Sequence, residues 1–94
     1  MTVAGLLLAA GAGRRYGMPK ALVTDGGRLL VERALATLVG GGCDPVVVVL
    51  GAAADEVLAK ADLSGATAVV NPDWATGMGS SLRAGLAALA ASAS

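Results

Sequence analysis

The sequence has few aromatic residues, a single cysteine and no excess of charge of either sign. Seven Lys/Arg balance seven Asp/Glu over 94 residues. That removes a broad basic face for nucleic acid and a polybasic patch for anionic lipid. Phosphate recognition, if present, has to come from local geometry. Cys43 stands alone, so neither a disulfide framework nor a cysteine metal cluster is available. At the start of an apolar stretch it reads as a small buried residue rather than a reactive thiol. Long apolar runs are missing as well. Mean hydropathy is +0.71, yet no uninterrupted run approaches the roughly 18 residues of a membrane-spanning helix. Met1-Thr2 lacks the basic stretch of a secretory leader, so the cytoplasm is the expected compartment and a membrane partner is not expected.

What the sequence does have is Ala, Val, Leu and Gly, with 55% hydrophobic residues, a globular profile for one small domain. Val3–Ala9 is a continuous apolar run, the mark of a strand buried on both faces. A loop follows over residues 11–20. Residues 23–29 read as a hairpin, with Asp25-Gly26 suited to a tight primed turn. Leu30, Val31, Ala34, Leu35, Leu38 and Val39 then recur at helical spacing until Gly40-Gly41-Gly42 stops them. Residues 45–50 form a second buried strand. A short helix over residues 53–61 should turn Val57 and Leu58 inward and Asp55, Glu56 and Lys60 outward. A weaker third strand spans residues 66–70, and a helix over about residues 80–90 takes Leu82, Leu86 and Leu89 as its core stripe. Alternation of strand and helix predicts parallel pairing through right-handed crossovers. The expected architecture is α/β, β-α-β-α-β-α, with three parallel strands in the order 3-2-1.

The stretch that carries chemistry is Leu8-Ala9-Ala10-Gly11-Ala12-Gly13-Arg14-Arg15-Tyr16-Gly17-Met18-Pro19-Lys20. It follows the carboxyl end of the first strand, where open parallel sheets bind ligands. Glycines clear side chains from the backbone, so successive amide groups can point at one anion. Arg15 and Lys20 add full positive charge for phosphate oxygens. A Walker loop is excluded, because Gly17 is followed by Met18-Pro19-Lys20 rather than Gly-Lys-Ser/Thr. A dinucleotide-binding reading of Gly11-x-Gly13-x-x-x-Gly17 is opposed by Gly17, Pro19 and Asp25-Gly26-Gly27, which would break the helix that fold needs. It also lacks the acidic residue closing the second strand, which ends in Leu50-Gly51.

The spaced positions Leu8-Ala9-Ala10-Gly11, Gly13, Arg15, Gly17, Pro19 and Lys20 resemble the LAAGxGxRxGxPK signature of the MobA/MocA-like nucleotidyltransferases. The resemblance implies a Rossmann-like three-layer α/β/α nucleotidyltransferase fold, with residues 1–94 as its N-terminal, nucleotide-binding half. Leu8, Ala9, Ala10, Gly11, Ala12 and Gly13 would face the nucleotide. Arg15 and Lys20 would hold the triphosphate and favour loss of pyrophosphate. Arg14 falls on a variable position.

A second string, Asn71-Pro72-Asp73-Trp74 through Gly77-Met78-Gly79-Ser80-Ser81-Leu82, puts two hydroxyls and free amides at a helix start. Plain capping accounts for Ser80 or Ser81. Resemblance to molybdenum cofactor cytidylyltransferases implies instead that Gly77, Ser80 and Ser81 contact nucleotide, with Ser81 reading the pyrimidine and ribose. Trp74 reads as a packing anchor, Arg83 as a solvated charge, and Gly85 as a point of close approach to the strand beneath. By the same resemblance the reaction transfers a nucleoside monophosphate, CMP preferred, from an NTP to a phosphorylated acceptor such as molybdopterin. GTP is the alternative donor, and a noncatalytic nucleotide-binding module the alternative role. The Mg²⁺-binding aspartate of such enzymes is expected outside this chain, because Asp25, Asp44, Asp55, Asp62 and Asp73 sit in turns or on outward faces. Order 3-2-1 leaves the first strand as a bare apolar edge, to be covered by another copy or by the remainder of a longer protein.

Overall fold

The computed structural model describes residues 3–10 and 22–93. Three parallel strands form the main sheet: β1 (Val3–Ala9), β4 (Cys43–Leu50) and β5 (Thr67–Val70), in the order β1-β4-β5. The second strand in sequence is therefore central, as the expected order requires. Between β1 and β4 lie the hairpin strands β2 (Thr24–Asp25) and β3 (Arg28–Leu29), followed by helix α1 (Leu30–Gly40). Helix α2 (Ala54–Lys60) joins β4 to β5, and a 3-10 turn (Trp74–Thr76) leads into helix α3 (Met78–Ala93).

The run of valines in β4 explains the layering. Side chains alternate across a strand, so Val46, Val48 and Leu50 enter one cluster with Val31 and Leu35 of α1 and Ala54 and Val57 of α2. Val47 and Val49 enter the other, beneath Ala84, Ala88 and Leu89 of α3. β1 divides the same way, Leu7 and Ala9 toward α1, Leu6 and Leu8 toward α3. Helices thus cover both faces, and Val47, Val48, Val49 and Leu50 are fully buried. A proline in a central strand removes a ladder donor; Pro45 is accommodated where the β1–β4 register shifts, with Val3 opposite Cys43 and Gly5 opposite Val46. Cys43 is half-buried there. A Cβ on Gly5 would come within 3.1 Å of the Cys43 Cβ, so the sulfur-bearing residue packs where glycine leaves room.

Several expectations are corrected. The hairpin turns on Gly26-Gly27, at φ +65° and +83°, with Asp25 paired to Arg28, so the turn lies one residue later than Asp25-Gly26. A type I′ turn needs positive φ at both central residues, and two glycines supply that more readily than an aspartate. Leu58 is exposed rather than inward, because Ala54 and Val57 already occupy the buried face of α2. Leu82 and Leu86 are likewise exposed, at 42% and 52%, and only Leu89 of the expected stripe packs on the sheet. The reason is Gly85. A Cβ there would collide with Leu6 and reach 3.0 Å from Val49, so α3 rests on its small residues and its leucines fall to the flanks.

Polar ties hold the margins. Glu32 accepts from the Leu29 amide at 3.0 Å, capping α1, and from the Asp62 amide at 2.8 Å, fastening the loop after α2. Those two donors hold its carboxyl below the ordinary glutamate value. Asp62 is lowered too, by the Ser64 hydroxyl and amide, which donate to its Oδ1 at 2.6 and 3.0 Å. No described strand pairs with the outer side of β1, and Val3 is 69% exposed there. Among the described residues no helix is long and apolar enough to cross a membrane.

Candidate functional site

The site is built at the carboxyl ends of the parallel strands. Leu8 pairs with Val49 and Ala9 with Leu50, so β1 and β4 finish together. Ala10, buried, accepts from the Ala52 amide at 3.1 Å, which anchors the chain where the glycine stretch begins. Leu22, buried against α1, anchors it on return. Leu8, Ala9 and Ala10 thus lie at the carboxyl end of the sheet, the end at which open parallel sheets in general take ligands. Gly11, Ala12, Gly13, Arg15 and Lys20 lie outside the described residues.

Across β4 the chain makes a tight turn. Gly51 cannot carry a side chain, because a Cβ would sit 2.6 Å from the Trp74 Cγ and 2.9 Å from the Ala10 Cβ. Trp74 therefore packs as the anchor the sequence suggested, half-buried over Gly51 beside Ala10, Val47 and Val49. Ala53 adopts a left-handed backbone, φ 56° and ψ 34°, before α2. A non-glycine residue in that conformation carries backbone strain. No acidic residue follows Leu50 before Asp55, which is exposed on α2.

Next to this turn sits a buried polar knot of the two candidate serines, whose hub, Asn71, sequence reading did not assign to the site. Asn71 follows the last residue of β5 and is 4% exposed. Its amide N–H donates to the Leu50 carbonyl at 2.7 Å, holding it to the end of β4. Its Oδ1 accepts from the Asp73 amide at 2.9 Å. Both Nδ2 hydrogens are used: one bond runs to Ser80 Oγ at 2.9 Å and one to Ser81 Oγ at 3.0 Å. The knot ties the end of β5, the Trp74 turn and the first turns of α3 into one piece. Signals were present in the sequence: a polar residue closing an apolar strand, a following proline, and paired serines nine and ten residues on.

The serines are not ordinary caps. α3 begins at Met78, two residues earlier than expected, so Ser80 and Ser81 lie within its first turns. Ser80 Oγ lies 2.9 Å from both the Asp73 and the Gly77 carbonyls, which share its hydrogen. Ser81 is 3% exposed. Gly77 precedes the helix at φ 124°, a backbone that L side chains seldom adopt.

The described residues do not fit a divalent cation site. No three Asp, Glu, His or Cys side chains among them converge, and Asp44, Asp55, Asp62 and Asp73 are exposed. A hard cation needs several oxygen ligands at once.

Residues 5–94 match the family described as the MobA-like NTP transferase domain. The chain is 58% identical over 87 residues to the nicotine blue oxidoreductase of Paenarthrobacter nicotinovorans, covering 92% of this chain and 43% of that protein. It is 38% identical over 90 residues to the bifunctional IPC transferase and DIPP synthase of Rubrobacter xylanophilus, 89% of this chain and 21% of that one. Among solved structures, Rv0371c from Mycobacterium tuberculosis H37Rv superposes with a TM-score of 0.72 at 31% identity, over 93% of this chain and 45% of that one. Its homologue from Mycobacterium sp. strain JC1 gives 0.66 at 44% identity, over 72% and 34%. The chain spans less than half the length of each of these relatives.

Proposed function

The chain belongs to the MobA-like NTP transferase family, and from that premise we propose that residues 1–94 are the nucleotide-binding half of an enzyme moving a nucleoside monophosphate from an NTP to a phosphorylated acceptor. The acceptor's phosphate oxygen attacks the α-phosphorus, the bond to the bridging oxygen breaks, and pyrophosphate leaves. Arg15 and Lys20 hold the triphosphate and take up the charge that develops on the leaving group. Backbone amides of residues 9–13 bind the phosphates, and the start of α3 with Gly77, Ser80 and Ser81 faces the base and ribose. CTP is the proposed donor, with GTP second, and molybdopterin is one acceptor of the required chemistry. A Mg²⁺ ligand would come from sequence outside these 94 residues.

The observation supporting this reading is the placement of Leu8-Ala9-Ala10 at the carboxyl end of β1, with Ala10 fastened by the Ala52 amide as the signature stretch begins. A second reading has its own support, the 58% identity to a protein named as an oxidoreductase. There the same loop would hold the pyrophosphate of a nicotinamide dinucleotide serving hydride transfer. Titration calorimetry with CTP, GTP and NADPH separates the two. The transferase reading expects a triphosphate to bind, with affinity falling at least tenfold in Arg15→Ala and Lys20→Ala, about 1.4 kcal/mol each. Binding of NADPH alone gives the site to the second reading.

A further inference from the structure

We infer that Asn71 is a positioning residue that sets the direction of the Ser81 hydroxyl, keeping its hydrogen available to a bound nucleotide; this rests on the nucleotide-binding reading above. An amide nitrogen can only donate, so the two bonds from Asn71 Nδ2 oblige both serine oxygens to accept. Ser80 then has one hydrogen left, and the Asp73 and Gly77 carbonyls take it. Ser81 has one hydrogen left too, and among the described residues no acceptor takes it. A buried hydroxyl with an unplaced hydrogen is costly unless something arrives to accept it.

The location fits a nucleotide. Asn71 is hydrogen-bonded to Leu50, the residue opposite Ala9 in the sheet, so the Ser81 hydroxyl belongs to the strand edge from which the glycine stretch departs. Phosphate, ribose and base all carry acceptor oxygens or nitrogens, and a fixed neutral donor suits any of them. Asn71 need not touch the ligand. It acts by determining which way a neighbour's hydrogen points.

Asparagine and aspartate are nearly isosteric, and that makes the idea testable. In Asn71→Asp the carboxylate keeps the acceptor for the Asp73 amide but has no hydrogens for the serines. Both hydroxyls would turn inward to donate to it, and the Ser81 hydrogen would be withdrawn. Ser81→Ala removes that hydrogen without touching Asn71. Thr76→Ala is the control, since it deletes a comparable hydroxyl bond, to the Asp73 carbonyl at 2.8 Å, in the same turn.

The measurement is calorimetry of CTP and GTP against each variant, with binding stoichiometry reporting the folded fraction. The expected result is a roughly tenfold weaker dissociation constant for both Asn71→Asp and Ser81→Ala at unchanged stoichiometry, one lost hydrogen bond in size. Thr76→Ala should bind as the parent does. Parental affinity in Ser81→Ala overturns the inference even where Asn71→Asp fails to fold, and leaves the nucleotide-binding reading standing. If the parent chain itself binds neither triphosphate, both fall together.

Discussion

The two faces of the sheet are closed by different means. Toward α1 and α2 the seal is aliphatic volume: Val31, Leu35, Val46, Val48, Leu50 and Val57 form one buried cluster. Toward α3 the seal is proximity, with Gly85 pressed onto Leu6 and Val49, Ala84 and Ala88 beside it, and Trp74 seated on Gly51. The first face tolerates movement of side chains and depends on their bulk. The second depends on the absence of side chains and on the Asn71 knot that fixes where α3 begins. The candidate site grows from the second face and the strand ends beside it. A ligand site needs its groups held to a fraction of an ångström, and close backbone contact with directional hydrogen bonds does that better than bulk.

This contrast can be broken by experiment, beginning where the effect is largest. Leu50→Ala should empty volume on the aliphatic face and cost about 2–5 kcal/mol, read by urea denaturation; a loss under 1 kcal/mol would mean that face can collapse and is not held by bulk. Gly85→Leu adds volume on the other face. Leucine is the better helix former by nearly 1 kcal/mol, yet the variant should still be destabilised by roughly 1–3 kcal/mol, because Leu6 and Val49 must move. Greater stability would show that α3 does not lie as close as described.

A smaller effect concerns the margin. The pKa of Glu32 is lowered in the folded chain, first by the Asp62 amide and then by the Leu29 amide. A lowered folded value means its stabilising contribution is present above the ordinary carboxylate range. That contribution is lost as pH falls through the folded value. Glu32→Gln should therefore lower the melting temperature at neutral pH and flatten its acid-side decline. Identical acid profiles for parent and variant would remove Glu32 from the account. Smallest of all, Leu82→Gln should change stability by no more than about 0.5 kcal/mol, since Leu82 lies on the exposed flank of α3. A loss above 2 kcal/mol would return it to the core.

Much of the fold was legible in the sequence because β1 and residues 46–50 of β4 are unbroken apolar runs, and such runs imply burial on both faces and parallel pairing. The strand order and the close approach at Gly85 both followed. Periodicity was less informative where helices are rich in alanine. In α3, alanines, glycine and serine can form the buried face as readily as leucines can, and only the tertiary approach decides. That is why helical spacing points Leu82 and Leu86 inward while the fold leaves them outward. At the site, the apolar run located the end of β1 at Ala9. The reach of one asparagine to two serines is invisible to local pattern, because it depends on how the 3-10 turn brings α3 back over the end of β5.

Trp74 has a practical consequence. It is the sole tryptophan of the chain, seated over Gly51 and beside Ala10, the residue from which the signature stretch departs. Its emission therefore arises from that single spot, without a dye or a background to subtract. Any molecule that enters there, or any shift of the first strand's end, should alter its colour and intensity. The chain carries its own optical probe at the place where a visitor would be noticed first.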